Sequence, residues 1–184
     1  MKKIYLLLTQ VDSLIMRGIR LYTGSKYNHI AISIDSMKSF YTFGRKLLYF
    51  PLVGGFIREQ LNKGFYRHFK NVRCLIFSLE IEDADYDKLN TRLDGFIQNS
   101  EIYKYNLAAF FGIVIKKPIK MRNRYTCSEF TAMLLQESGI YEFSKDLSLI
   151  IPEEFCSIPG IVRVFEGKMS EFVCDSEPLA YNVN

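Results

Sequence analysis

The sequence contains no long apolar run, and this absence excludes two kinds of segment. No stretch approaches the roughly 18 consecutive apolar residues of a membrane-spanning helix. The apolar run from Ile4 to Leu8 is too short for the hydrophobic region of a signal peptide, and no small-residue cleavage site follows it. We therefore expect no transmembrane segment and a cytoplasmic location.

Patterns typical of metal sites are also missing. The sequence has only two histidines, and its four cysteines are far apart, with no C-x-x-C pair. This spacing argues against zinc and, in a reducing compartment, against a disulfide framework. We predict no metal and no cofactor. The cysteines are Cys74, Cys127, Cys156 and Cys174.

Strong net charge is absent as well. The 24 basic and 20 acidic residues leave a net charge of +4, which is too small to indicate a nucleic-acid partner. The basic residues are dispersed, as in "KMRNR" and "FYRHFK", so we interpret them as solvated faces, with a basic patch for an anionic surface as the alternative. The length of 184 residues fits one domain. We assign residues 1–174 to that domain and residues 175–184 to a C-terminal tail.

The hydrophobic periodicity predicts an α+β fold in which a small, mainly antiparallel sheet packs against helices. Residues 50–66 combine glycines with apolar residues and are predicted as a loop with a short helix. Residues 161–173 are predicted as a strand, a Glu-Gly-Lys turn and a second strand. The other predicted strands span 3–9, 28–35, 40–46 and 71–81, and the predicted helices span 12–25, 83–100, 127–138 and a short segment from 152. Residues 105–115 are predicted as a short apolar helix or a buried run.

The segment "NRYTCSEFTAMLLQESG" places Cys127 in the first turn of an amphipathic helix that Gly139 ends. A helix N-terminus lowers the pKa of a cysteine and directs backbone N–H groups towards a substrate oxyanion. The helical spacing from Cys127 to Phe130 and Leu134 turns the thiol inward, towards the sheet. Cys127 is accordingly either a nucleophile or a small buried core residue.

A cysteine nucleophile needs a base, and His29 is the better of two candidates. It begins an alternating strand, "NHIAISID", beside Ala31 and Ser33, whose small side chains leave room for a ligand. His68 lies between basic residues and is predicted to be solvated. The alternative for His29 is a core histidine with satisfied hydrogen bonds.

Four segments, taken in order, resemble a known family. They are "IRLYTGSKYNHIAISI", "YKYNLAAFFG", "YTCSEFTAMLLQESG" and "IIPEEFCSIPGIVRVFEGK". The family is that of the YiiX/YaeF-like cysteine hydrolases. In order, the four segments are similar to its histidine strand, its Tyr-Asp/Asn segment, its Tyr-x-Cys-Ser-Glu helix and its Pro-Glu/Asp segment with the final strand. These hydrolases are circularly permuted relatives of the NlpC-type peptidases with a papain-like fold, in which the histidine strand precedes the nucleophile helix.

The resemblance implies roles for individual residues. Cys127 would attack a carbonyl and His29 would act as general base. The family's polar orienting residue would be Tyr41, or Thr42 if the strand register shifts by one. Glu129 is expected on another, solvated face of the helix. The resemblance also suggests substrate-binding roles for Tyr105, Tyr27 and Ser128.

Three functions are compatible with these residues. The first is a thiol hydrolase that cleaves a peptide, a small amide or an ester through an acyl-cysteine. The second is an acyltransferase or lipid-acyl hydrolase of the lecithin retinol acyltransferase type, in which "LLYFPLVGGFIREQL" would contact a lipid-like substrate. The third is a degenerate module that binds a ligand or partner without catalysis.

Overall fold

The computed structural model describes residues 1–11, 24–45, 54–61, 63, 66 and 71–172. The helix predicted near residues 12–23, His68, Cys174 and the predicted tail lie outside the described residues. The strands are β1 (Lys2–Thr9), β2 (His29–Ser33), β3 (Phe40–Arg45), β4 (Gly54–Glu59), β5 (Arg73–Ile81), β6 (Lys104–Tyr105), β7 (Arg124–Tyr125) and β8 (Val162–Lys168). The helices are α1 (Asp83–Gln98), α2 (Ala109–Ile115) and α3 (Cys127–Glu137), with 3-10 helices at Leu147–Leu149, Pro152–Ser157 and Met169–Glu171.

The strands form one sheet in the order β7-β6-β4-β3-β2-β1-β5-β8. All neighbouring pairs are antiparallel except β6 and β7, which are parallel. The fold is therefore α+β with a mixed sheet of eight strands, larger than the small sheet that the periodicity predicted. None of the helices in the described part of the chain has both the length and the apolar character that crossing a bilayer requires.

Strand β1 packs against a hydrophobic cluster on each of its faces, since successive side chains of a strand point to opposite sides. Leu6 and Leu8 join the main core, which also receives Leu93 from α1 and Phe130 from α3. Leu7 points the other way and packs in a second, smaller cluster. The helices thus cover one face of the sheet.

Two element predictions are wrong, and close packing between neighbours explains both. Strand β4 occupies Gly54–Glu59 within the predicted loop, and it packs closely on the adjacent strand, since a Cβ at Gly54 would lie 2.8 Å from the Cβ of Tyr105. Only glycine allows that close approach. Strand β8 continues through the predicted Glu-Gly-Lys turn and pairs with β5, and the ring of Phe165 lies 2.8 Å from the position of a Cβ at Gly167.

The pairing between β2 and β3 is short. Ile32 and Tyr41 are partners, but towards His29 the Thr42 hydroxyl donates to the Ile30 carbonyl at 2.6 Å. A side chain therefore replaces the backbone ladder at this end of β2, and this is the end that carries His29.

Candidate active site

A capping box fixes the start of α3. Thr126 is the N-cap, and its hydroxyl accepts from the Glu129 N–H at 3.1 Å, while the Glu129 carboxylate accepts from the Thr126 N–H at 3.3 Å. The sequence Thr-Cys-Ser-Glu is the pattern for this motif. Glu129 is therefore buried in the cap and not on a solvated face, and burial raises its pKa to about 7.

Cys127 is the first residue of α3 and is only 3% exposed. Its Sγ lies 4.0 Å from the Ser128 hydroxyl, and the backbone of Ile30 on β2 hydrogen-bonds to the thiol. The helix dipole also favours negative charge at this position. The surroundings of Cys127 are therefore those that stabilise a thiolate.

The first turn of α3 keeps two backbone N–H groups available. The N–H of Glu129 donates to the cap, and the N–H of Phe130 donates to the Thr126 carbonyl at 3.1 Å. The N–H groups of Cys127 and Ser128 are left without a partner among the described residues. They are the donors in this turn that could bind an oxyanion next to the sulfur.

The imidazole of His29 lies between Cys127 and Glu59. Interaction with His29 lowers the pKa of the Cys127 thiol, and Nε2 of His29 lies 3.2 and 3.3 Å from the two carboxylate oxygens of Glu59. With the Nε2 proton donated to Glu59, Nδ1 is the ring nitrogen left to exchange a proton with the thiol. The three side chains form a Cys–His–Glu series.

The pKa values of this pair are shifted in opposite directions. Burial alone would lower the pKa of His29, but the charge of Glu59 and hydrogen bonds to Cys127 and Glu59 raise it from 6.5 to about 10. Burial alone would raise the pKa of Cys127, but the hydrogen bond and charge of His29 lower it below its ordinary value of 9.0. The two opposite shifts favour a thiolate–imidazolium pair over the neutral pair.

The other described cysteines have the opposite character. Burial raises the pKa of Cys74 to about 12, and burial also raises the pKa of Cys156. Neither lies at the start of an α-helix. Among the three described cysteines, only Cys127 has the environment of a reactive thiol.

The orienting residue is not where the sequence placed it. Tyr41 stacks on Phe56, with 6.1 Å between ring centroids, and the Thr42 hydroxyl is bound to the Ile30 carbonyl. Glu59 contacts His29 instead, although it lies on β4, two strands away from β2. The register is the cause, because Tyr41 lies opposite Ile32 and not opposite His29.

A glycine lets His29 reach across β3 to Glu59. A Cβ at Gly44 would lie 3.7 Å from Cε1 of His29 and 2.9 Å from Cδ1 of Ile57. An alanine Cβ would make an ordinary van der Waals contact with the ring, while the Ile57 side chain would have to shift. A larger side chain would start from a point next to the ring, so the residue at position 44 is expected to influence the contact between His29 and Glu59.

Tyr66 supports Glu59 from the far side. Its buried hydroxyl donates to Oε2 of Glu59 at 3.0 Å. Burial, with the charge of Glu59, raises the pKa of Tyr66 well above its ordinary value, so the phenol stays a hydrogen-bond donor. Sequence inspection missed both residues, and the only local signal was the charged end of "FIRE" after an apolar run.

The three residues predicted to bind substrate have different positions. Ser128 is buried beside the thiol. Tyr105 lies on β6 and packs against Phe110, with 5.9 Å between ring centroids. The Tyr27 hydroxyl donates to Glu166 on β8 at 3.2 Å, which ties this buried ring to the opposite edge of the sheet.

The Asn of the "YKYN" segment has a structural role. Asn106 is buried, its side chain donates to the Ile119 carbonyl at 2.9 Å, and it accepts from the Ala109 N–H at 3.3 Å. It thereby closes the connection that carries α2 between β6 and β7.

Among the residues that the structure describes, no group of three or more His, Cys, Asp or Glu side chains could hold a metal ion. A scan against models of known protein families finds no match for this chain, and a search of curated proteins finds no similar sequence.

Proposed function

We propose that this protein is a thiol hydrolase in which Cys127 is the nucleophile, His29 the general base and acid, and Glu59 the residue that orients His29. The observation that carries the proposal is the placement of His29 between the Cys127 thiol and the Glu59 carboxylate. A nucleophile, a base and an orienting group in series are what acyl transfer through a covalent intermediate needs.

In the first step the Cys127 thiolate attacks the substrate carbonyl carbon and forms a C–S bond. The N–H groups of Cys127 and Ser128 bind the oxyanion that develops. The His29 imidazolium then gives its proton to the leaving nitrogen or oxygen, the bond to the leaving group breaks, and an acyl-cysteine remains.

In the second step neutral His29 removes a proton from water, and the hydroxide attacks the acyl-cysteine carbonyl. The C–S bond breaks, and a carboxylic acid and the thiolate are released, with His29 again protonated. Glu59 holds the imidazole in place throughout.

We also propose that the fold is a permuted, papain-like one of the NlpC type. Two features support this assignment: the histidine strand precedes the nucleophile helix in the chain, and that helix packs against a mainly antiparallel sheet. By the same resemblance, the substrate is an amide or ester of a peptide or small molecule. An acyl acceptor other than water would turn the same intermediate to acyl transfer.

The test is capture of the intermediate. Purified protein is incubated with a panel of p-nitrophenyl esters and peptide p-nitroanilides, and the acylated residue is located by mass spectrometry. We expect a burst of product with acyl groups on Cys127, and no acylation of Cys127→Ala. Cys156→Ala is the matched control and should behave as wild type. Added amine or alcohol acceptors separate hydrolysis from acyl transfer.

Absence of acylation across the panel, from a protein with an intact fold, would favour a binding module without catalysis. Acylation at Cys156 or Cys74 with Cys127 unmodified would contradict the proposed nucleophile directly.

A further inference from the structure

Helix α2 exposes apolar side chains where a surface helix normally shows polar ones. Phe111, Val114 and Ile115 are 73%, 41% and 57% exposed, and their i, i+3, i+4 spacing places them on one face. The opposite face is buried through Ala109 and Gly112. Exposed apolar side chains grouped on one face are typical of an interaction surface.

The buried face of α2 packs closely against the chain segment that follows the helix. A Cβ at Gly112 would lie 2.6 Å from the Lys117 carbonyl oxygen, so the chain passes directly beneath the helix after it ends. The Lys117 N–H donates to the Gly112 carbonyl at 2.9 Å, and Lys116 has a left-handed backbone with φ of 54°. The helix therefore cannot roll inward to hide its apolar face without breaking this packing.

Basic residues border the apolar face. Residues 116–124, "KKPIKMRNR", contain five basic residues and no acidic one, and all five are exposed. Lys120 forms an ion pair with Asp146 at 2.7 Å. Lys116 and Lys117 follow directly after Ile115 and are exposed, so two cationic residues lie at the C-terminal end of the helix that carries the apolar face.

We propose that the α2 patch, defined as Phe111, Val114, Ile115, Lys116 and Lys117, docks this protein on an anionic phospholipid surface. Apolar side chains enter the boundary between headgroups and acyl chains, while lysines meet the negative headgroups. Nucleic acid offers charge without an apolar layer, and an apolar protein partner would not need the lysines. Both halves of the patch fit a lipid surface. This inference is independent of the chemistry at Cys127.

The patch can be tested by co-sedimentation with phosphatidylcholine vesicles that do or do not contain phosphatidylserine. We expect binding to the anionic vesicles only, with an affinity that falls as salt rises. Lys116→Gln with Lys117→Gln should weaken binding by roughly tenfold to thirtyfold, since each lysine near such a surface contributes several-fold. Phe111→Ser with Ile115→Ser should weaken it by at least about tenfold.

Matched controls come from exposed residues elsewhere. Lys38→Gln with Lys63→Gln removes the same charge, and Val162→Ser removes an exposed apolar side chain from β8. Both controls should bind like wild type. The proposal is overturned by failure to bind anionic vesicles, by equal losses in the controls, or by binding to RNA of the same charge density as tight as to vesicles. Self-association that Phe111→Ser with Ile115→Ser abolishes, without vesicle binding, would overturn it as well.

Discussion

Both carboxylate oxygens of Glu59 face Nε2 of His29, at 3.2 and 3.3 Å. This contact holds the proton of Nε2 towards Glu59 and leaves Nδ1 as the ring nitrogen that exchanges a proton with the thiol. It also places a negative charge beside the imidazole, which favours the imidazolium. The reactivity of Cys127 is therefore expected to depend on a residue two strands away from His29.

Glu59→Gln keeps the side-chain length and a hydrogen-bonding group but removes the charge. We expect the pKa of His29 to fall and that of Cys127 to rise, because the imidazolium is less stable. The acid limb of Cys127 alkylation should move up by about one pH unit, so that the rate drops by roughly tenfold at pH values on that limb. Glu80→Gln, at an exposed ion pair with Lys3, is the control. An unchanged pH profile in Glu59→Gln would contradict the orienting role.

Iodoacetamide should label Cys127 before Cys74 and Cys156 at pH 7. The thiolate is the reacting form, and only the pKa of Cys127 is lowered among these three. We expect a rate ratio of at least about tenfold, measured by mass spectrometry of the digested peptides. Labelling of the unfolded chain, where the thiols become equivalent, is the control. If half-buried Cys156 reacts first, access and not thiolate content governs labelling.

The stability of the site should depend on pH through two opposing groups. The raised pKa of His29 gives stability that is complete below pH 6.5 and is lost as pH rises to about 10. The lowered pKa of Cys127 gives stability that is complete above pH 9.0 and is lost as pH falls. Wherever between pH 6.5 and 9.0 the folded pair is thiolate and imidazolium, it binds the same number of protons as the unfolded pair, so the two pH dependences cancel.

Cys127→Ser removes the contribution of the thiol to the pH dependence of stability and leaves that of His29. The free energy of unfolding of wild type, minus that of Cys127→Ser, should therefore increase as pH rises from 6.5 to 9.0. Urea denaturation at several pH values under reducing conditions measures it. Taking the difference removes the contributions of other titrating groups, such as Glu129. A difference that stays constant over this range would show that the pKa of Cys127 is not lowered by folding.

Tyr66 is expected to act as a positioning residue through Glu59. Tyr66→Phe should leave Glu59 less firmly held, so the alkaline limb of turnover, where His29 loses the proton that it gives to the leaving group, moves below pH 10. The same variant should lose about 1 kcal/mol of unfolding free energy, the usual contribution of one hydrogen bond. Tyr41→Phe is the matched control, since Tyr41 contacts Phe56 through its ring. A loss of stability with an unmoved pH profile would reduce Tyr66 to a structural role.

Local patterns in the sequence were sufficient to locate two members of the site. The capping sequence around Cys127 and the alternation around His29 each depend on residues within one turn or one strand. Glu59 could not be found in this way. Its strand begins with two glycines that suggest a loop, and the reason for Gly54 is a tyrosine some fifty residues later in the chain.

The register of β3 was likewise not a local property. A partner for His29 was expected directly opposite, at Tyr41 or Thr42. The backbone of Ile30 instead receives the Thr42 hydroxyl and binds the thiol, so the ladder between β2 and β3 is interrupted where the site lies. Only the assembled sheet reveals that interruption.

Gly44 has a consequence for how this protein can change over time. It contributes no chemical group, yet the ring of His29 passes over the place where its side chain would be. We expect a valine or leucine there to crowd His29 and weaken its contact with Glu59 while leaving Cys127, His29 and Glu59 all present. Under the proposed function, a relative could then keep all three residues and still be inactive, and the identity of position 44 would be the better guide to activity.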